Sequence, residues 1–244
     1  MRGAASFQGN DLGLVAVVAD AMTEQEWLVC GNPRPMHAVL RARRLMATHI
    51  RSRQPWRKLP LLGAAYCRLV WHLIVDPRSR RMIEWTERQY DEYRSMTREE
   101  RDLIFSDAEF VAYNPQAAEN APQSVAEFAA LFAPDPDWVI GAFASLESYG
   151  DPQERWRQMA CLVREIFGNP FRPAVADQIW LSFTVTALAR QIYDSFDFSL
   201  MPILADALQD AGCDNEDILA HCRSDGPHVR GCWVVDLLLG WAEA

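Results

Sequence analysis

The sequence predicts an all-α protein, folded as one compact multi-helix, bundle-like domain or as two helical lobes. Three observations carry this. Helix-start signatures recur along the chain, apolar residues repeat at spacings of three and four, and period-two alternation, the mark of strands, is scarce. Thr23-x-x-Glu26, Thr97-x-x-Glu100 and Ser124-x-x-Glu127 are capping boxes: the hydroxyl accepts an orphan backbone N–H and the carboxylate reaches back. Asp76-Pro77 and Asp151-Pro152 set a capping acid before a proline in the first helical turn.

Taken in order, these signals predict helices near 23–30, opened by Thr23, and near 35–52. A third is expected near 60–75, where Leu62, Tyr66, Leu69 and Leu73 form one stripe. Asp76 opens 77–95, Thr97 opens 97–111 and Ser124 opens 124–133. Beyond Pro134-Asp135-Pro136 come 136–148, then 152–167 behind Asp151. The spacing of Ile179, Phe183, Ala187 and Tyr193 predicts 177–194. The chain closes with 200–211, 215–223 and 227–240, the last opened by Gly226-Pro227. Tyr113–Pro122 and Ala133–Pro136 have loop composition. The expected organisation is an N-terminal extension over 1–21, a helical part over 22–112, connecting helices and loops over 113–150, and a C-terminal helical part over 151–244.

At 244 residues, half of them hydrophobic, the chain buries a core without staples. Its six cysteines are spread from Cys30 to Cys232, which favours reduced thiols in a cytoplasmic protein. No transmembrane span is expected, because the apolar stretch from Leu59 to Val75 is broken by Pro60, Arg68 and His72. The N-terminal Leu12–Ala19 run, closed by Asp20, fits a signal peptide poorly, and Met22-Thr23-Glu24 reads as a natural start.

Charge is divided along the chain. No acid lies between Trp27 and Val75, whereas residues 84–154 carry sixteen acids and only Arg88, Arg94, Arg98 and Arg101. Within the basic segment, Arg41, Arg43, Arg44, Arg51, Arg53, Arg57 and Lys58 are candidates for contacts to nucleic acid or to an acidic partner. The alternative is internal pairing with the acidic middle.

The blocks Met22-Thr23-Glu24-Gln25-Glu26-Trp27-Leu28, Arg164-Glu165-Ile166-Phe167-Gly168-Asn169-Pro170-Phe171-Arg172-Pro173 and His228-Val229-Arg230-Gly231-Cys232-Trp233-Val234-Val235-Asp236 resemble a large paralogous family of bacterial proteins with no assigned activity. The resemblance runs through most of the chain from Met22 and supplies no catalytic residues. It implies a start near Met22 and a C-terminal half that forms a unit.

Two local arrangements carry chemistry. Cys222-x5-His228-x3-Cys232 offers soft ligands suited to zinc, with Cys213 or His221 to complete a tetrahedral set. The competing readings are small core residues, or a reactive Cys232 thiol activated by His228 and Arg230. In the turn 167–173, Asn169 and Arg172 could hold a carboxylate or phosphate, or the turn could simply stop one helix and launch the next. No GxxxxGK[ST], HExxH or GxSxG is present, nor a GxGxxG after a strand. The expectation is a non-enzymatic, cytoplasmic adaptor or regulatory protein acting through a protein partner, with Trp27, Trp56, Trp85 and Trp138 as candidate anchors. Nucleic-acid association and zinc binding are the alternatives.

Overall fold

The computed structural model describes residues 22–43, 45–46, 55–92, 97–113, 136–144 and 150–241. Among them the protein is all-α. The helices are α1 (Glu24–Val29), α2 (Pro33–Ala42), α3 (Pro55–Leu69), α4 (Pro77–Glu92), α5 (Arg98–Ala112), α6 (Pro136–Ala144), α7 (Pro152–Phe167), α8 (Phe183–Ser195), α9 (Met201–Asp210), α10 (Glu216–Arg223) and α11 (Trp233–Leu238). Single 3-10 turns lie at Trp71–Leu73, Gln178–Trp180 and Phe198–Leu200.

The caps form as their sequence dictates. Thr23 and Glu26 exchange both bonds of a capping box, and so do Thr97 and Glu100. Asp76 accepts the Arg78 N–H and Asp151 the Gln153 N–H, at 2.9 and 2.8 Å. The box at Ser124 and the helix expected over 124–133 lie outside the described residues.

Four helices differ in their boundaries from expectation, the one expected near 60–75 running instead from Pro55 to Leu69 with Pro60 inside it. The basic helix runs from Pro33 and ends at Ala42 with Arg43 as its cap, short of the residue 52 expected; Arg44, Arg51 and Arg53 lie outside the described residues. The helix expected from 177 starts at Phe183, because Asp177 caps only a 3-10 turn and Ser182 then caps α8. The last helix begins at Trp233 instead of 227. Gly226 and Gly231 lie at φ 89° and 93°, outside the helical region, and a Cβ at Gly231 would stand 2.9 Å from the Leu61 Cδ1, so this non-helical turn requires glycine at 231.

α3 is the axis of the N-terminal lobe, packed against α4, α6 and α7, while α2 also packs on α7. Their core gathers Trp27, Met36, Leu40, Leu62, Tyr66, Met159, Leu162 and Ile166. A satellite core of Met82, Trp85, Ile104 and Ala108 joins α4 to α5. The second lobe packs α8 against α9 and α11, and α9 against α10, around Val185, Ile192, Leu204, Leu208, Ile218 and Val234. Helix α7 therefore belongs to the first core although it opens the C-terminal part of the chain, and α11 docks back onto it.

A buried ion pair also crosses between the lobes. The Arg57 guanidinium of α3 meets the Asp236 carboxylate of α11 at 2.5 Å, with both side chains buried. Arg57 further stacks over Tyr193 and Trp241 at 5.0 and 4.7 Å. Burial would lower the Arg57 pKa, but Asp236 and Tyr193 more than compensate and raise it. No helix among the described residues is long and apolar enough to cross a membrane.

Candidate metal centre

Helix α7 buries the face that carries Met159, Leu162, Val163 and Ile166, and Glu165, also buried, lies beside that face, turned to the second lobe. Its carboxylate is 4% exposed and sits where the lobes meet. From the second lobe, the last turns of α10 bring His221, and the non-helical stretch before α11 brings His228 and Cys232. One donor atom from each of these four residues lies within 4.8 Å of all the others.

The His221 Nε2 is 3.2 Å from both the Glu165 Oε2 and the Cys232 Sγ, and the His228 Nδ1 is 3.3 Å from the same Oε2. The remaining atoms of the cluster are oriented from outside. The Val229 N–H donates to the Glu165 Oε1 at 3.2 Å, and the His228 Nε2 donates to the Ser224 carbonyl oxygen at 3.2 Å. The Trp233 indole N–H donates to the His221 Nδ1 at 3.1 Å.

The electrostatics follow from burial. Desolvation pushes the Glu165 carboxyl up, against the opposing pull of His228. Burial works to lower His228, but the bonds and charge of Glu165 outweigh it and raise the imidazole. His221, desolvated and facing His228, is held down at about 3 and so stays neutral. Burial and the Glu165 charge drive the Cys232 thiol well above its ordinary value, opposite to the lowering that activates a nucleophilic thiol.

Of the residues singled out in sequence, His221, His228 and Cys232 come together, but not as helical neighbours: residues 227–232 are not helical, and His228 and Cys232 do not sit one helical turn apart. Cys222 and Cys213 fall outside the donor group. Cys222 is fully buried in the second core, its thiol pushed up to about 12 by burial and by Glu165, and Cys213 packs in the same core. Glu165 was not anticipated, although a carboxylate three residues after Leu162, beside the apolar face of that helix, was a readable signal.

The basic candidates scatter. Arg41 pairs with Asp137, and Arg43 donates to the Pro170 carbonyl at 3.1 Å while lying over the Phe171 ring at 4.1 Å. Arg57 is buried against Asp236, which removes it from any nucleic-acid surface, and Lys58 lies over Phe167. Arg44, Arg51 and Arg53 lie outside the described residues. In the polar turn, the Asn169 side-chain amide donates to Glu24 at 2.5 Å, and Arg172 meets Glu24 and Asp217 at 3.4 and 3.3 Å, so both residues fasten the turn to neighbouring helices. Trp27 and Trp85 are core residues, Trp138 is exposed, and the Trp56 side chain lies outside the described residues.

Two clefts flank this turn. One, of 430 Å³, is lined by Glu165, His221, Arg164, Trp27 and Trp233 among others. The second, of 280 Å³, is lined by Arg43, Lys58, Phe167 and again Trp233. No family model matches the sequence, and neither a characterised protein nor a solved structure matches it, so the chemistry of this site is read from its own geometry.

Proposed function

We propose that the protein is a helical zinc protein whose ion, held by Glu165, His221, His228 and Cys232, fastens the second lobe to α7. The observation that carries this reading is the convergence of four donor atoms within 4.8 Å. Tetrahedral zinc with ordinary bond lengths separates its nitrogen and oxygen donors by about 3.3 Å, and nitrogen from sulfur by about 3.6 Å. The contacts of 3.2 and 3.3 Å around Glu165 and His221 are already near those edges. The His228 bond to the Ser224 carbonyl is the outer-shell arrangement that leaves Nδ1 to a metal. With four protein donors the role is structural, because a catalytic zinc keeps a position open.

Elemental mass spectrometry on protein purified without a metal-binding tag tests this. One zinc per chain is expected, lost in Cys232→Ser and in His228→Ala, with a lowered thermal midpoint in each. Folded wild-type protein that takes up no zinc when dialysed against it overturns the reading.

A protein-partner role is the second reading, supported by a different observation. Val175 and Ile179, on the segment between α7 and α8, and Phe183, the first residue of α8, are 79, 75 and 88% exposed. An adaptor that uses this segment loses its partner when the three are replaced by serine while its zinc content is unchanged. Retention of the partner by the triple variant would exclude this surface.

A further inference from the structure

We infer that Trp233 opposes metal binding at His221, so that loading the site requires the indole to leave its place. This rests on the zinc reading above. An indole N–H only donates, so the His221 Nδ1 at 3.1 Å must be accepting and carries no proton. The neutral ring then holds its proton on Nε2, aimed at the Glu165 Oε2 and the Cys232 Sγ, both at 3.2 Å. Turning the ring over would point carbon atoms at all three partners, so the contacts themselves fix this orientation.

A histidine that binds metal through Nε2 carries its ring proton on Nδ1. At His221 that proton would face the Trp233 N–H, two donors head to head with no acceptor between them. The bond from Trp233 and the bond to the metal therefore exclude each other. His228 differs: its outer nitrogen already donates to a carbonyl, so that ring binds metal without rearrangement.

Trp233 is packed tightly on one side and borders open space on others. Its ring lies against Gly168, where even a Cβ would come within 3.2 Å of the indole, and it lines both clefts beside the 168–173 turn. The indole that leaves His221 must enter one of them. Metal occupancy and cleft shape are thus linked, and by reciprocity anything that holds the indole away from His221 tightens the metal.

The test is zinc affinity by competition with a chromophoric chelator, for the wild type, Trp233→Phe and the control Trp180→Phe. Trp233→Phe removes the opposing donor and is expected to bind zinc about tenfold more tightly, the scale of one hydrogen bond no longer broken. Trp180→Phe keeps wild-type affinity. Equal or weaker binding by Trp233→Phe overturns the inference and leaves the zinc site standing. Absence of zinc binding in both the wild type and Trp233→Phe removes the zinc reading and this inference with it. Wild-type protein alone gives an independent measure, through long-range 15N spectra of the histidine rings. The His221 proton is expected on Nε2 without zinc and on Nδ1 with it, and a proton already on Nδ1 in the zinc-free protein refutes the mechanism.

Discussion

Single residues separate the site from its surroundings. Cys222 and Cys232 are both buried, yet only Cys232 points at Glu165 and the histidines. On the zinc reading, Cys222→Ser is expected to bind zinc while losing stability, because it puts a hydroxyl into the second core, whereas Cys232→Ser does not bind it; elemental analysis of the two variants separates them. The Asp137 carboxylate shows a second residue-level effect. Its partial burial would raise its pKa, but hydrogen bonds to His37 and Arg41, reinforced by their charges, overcome this and hold it at about 2. A carboxyl depressed in the folded state contributes stability that is complete above its unfolded value and is lost as pH falls through the folded one. Acid unfolding between about pH 4 and pH 2 is therefore expected to be shallower in Asp137→Asn, a difference that denaturant midpoints across that range reveal. At this scale the sequence exposed the three Cys and His donors by their clustering. It hid Glu165, which lies 56 residues before His221 and is joined to it only by the packing of α7 against the second lobe.

At the scale of elements, starts were more legible than ends. Thr23, Asp76, Thr97 and Asp151 each cap a helix because the cap is a local hydrogen bond between residues two or three apart. The late start of α11 was not legible, since Gly226-Pro227 looks like a helix opening, whereas Gly226 and Gly231 both take positive φ, 89° and 93°, and residues 227–232 are not helical. Gly231→Ala tests that cause. A Cβ at φ 93° with Leu61 at 2.9 Å is strained by both backbone and neighbour, and the variant is expected to lose about 1–3 kcal/mol in equilibrium unfolding. An unchanged midpoint would mean that both the backbone at 231 and Leu61 relax without cost.

Among the described residues the molecule has two main cores with α7 between them, besides the small cluster joining α4 to α5, and the two are tied by the Glu165, His221, His228 and Cys232 group on one side and by Arg57 and Asp236 on another. All-α class was legible because helical periodicity repeats in nearly every segment, but the division between lobes was not. Composition placed α7 with the C-terminal part, whereas its apolar face closes the N-terminal core. Arg57 was grouped with surface arginines for a similar reason, its partner being 179 residues away. Asp236→Ala leaves that guanidinium buried and uncompensated and is expected to cost about 3–5 kcal/mol, while replacing Arg57 and Asp236 together by methionine and leucine recovers much of the loss. Urea midpoints of the two variants check this.

Arg164 and Glu165 are neighbours on α7 with opposite duties. The Arg164 guanidinium donates to the carbonyl oxygens of Trp27 and Cys30 at 3.0 and 2.8 Å, closing the end of α1, while Glu165 faces the histidines of the second lobe. Each residue of a helix advances about 100° around its axis. Removing one residue from the middle of α7 would swing both groups away from their partners at once. Side-chain exchange elsewhere on that helix leaves its phase intact, so α7 is a segment that accepts many substitutions but no change of length.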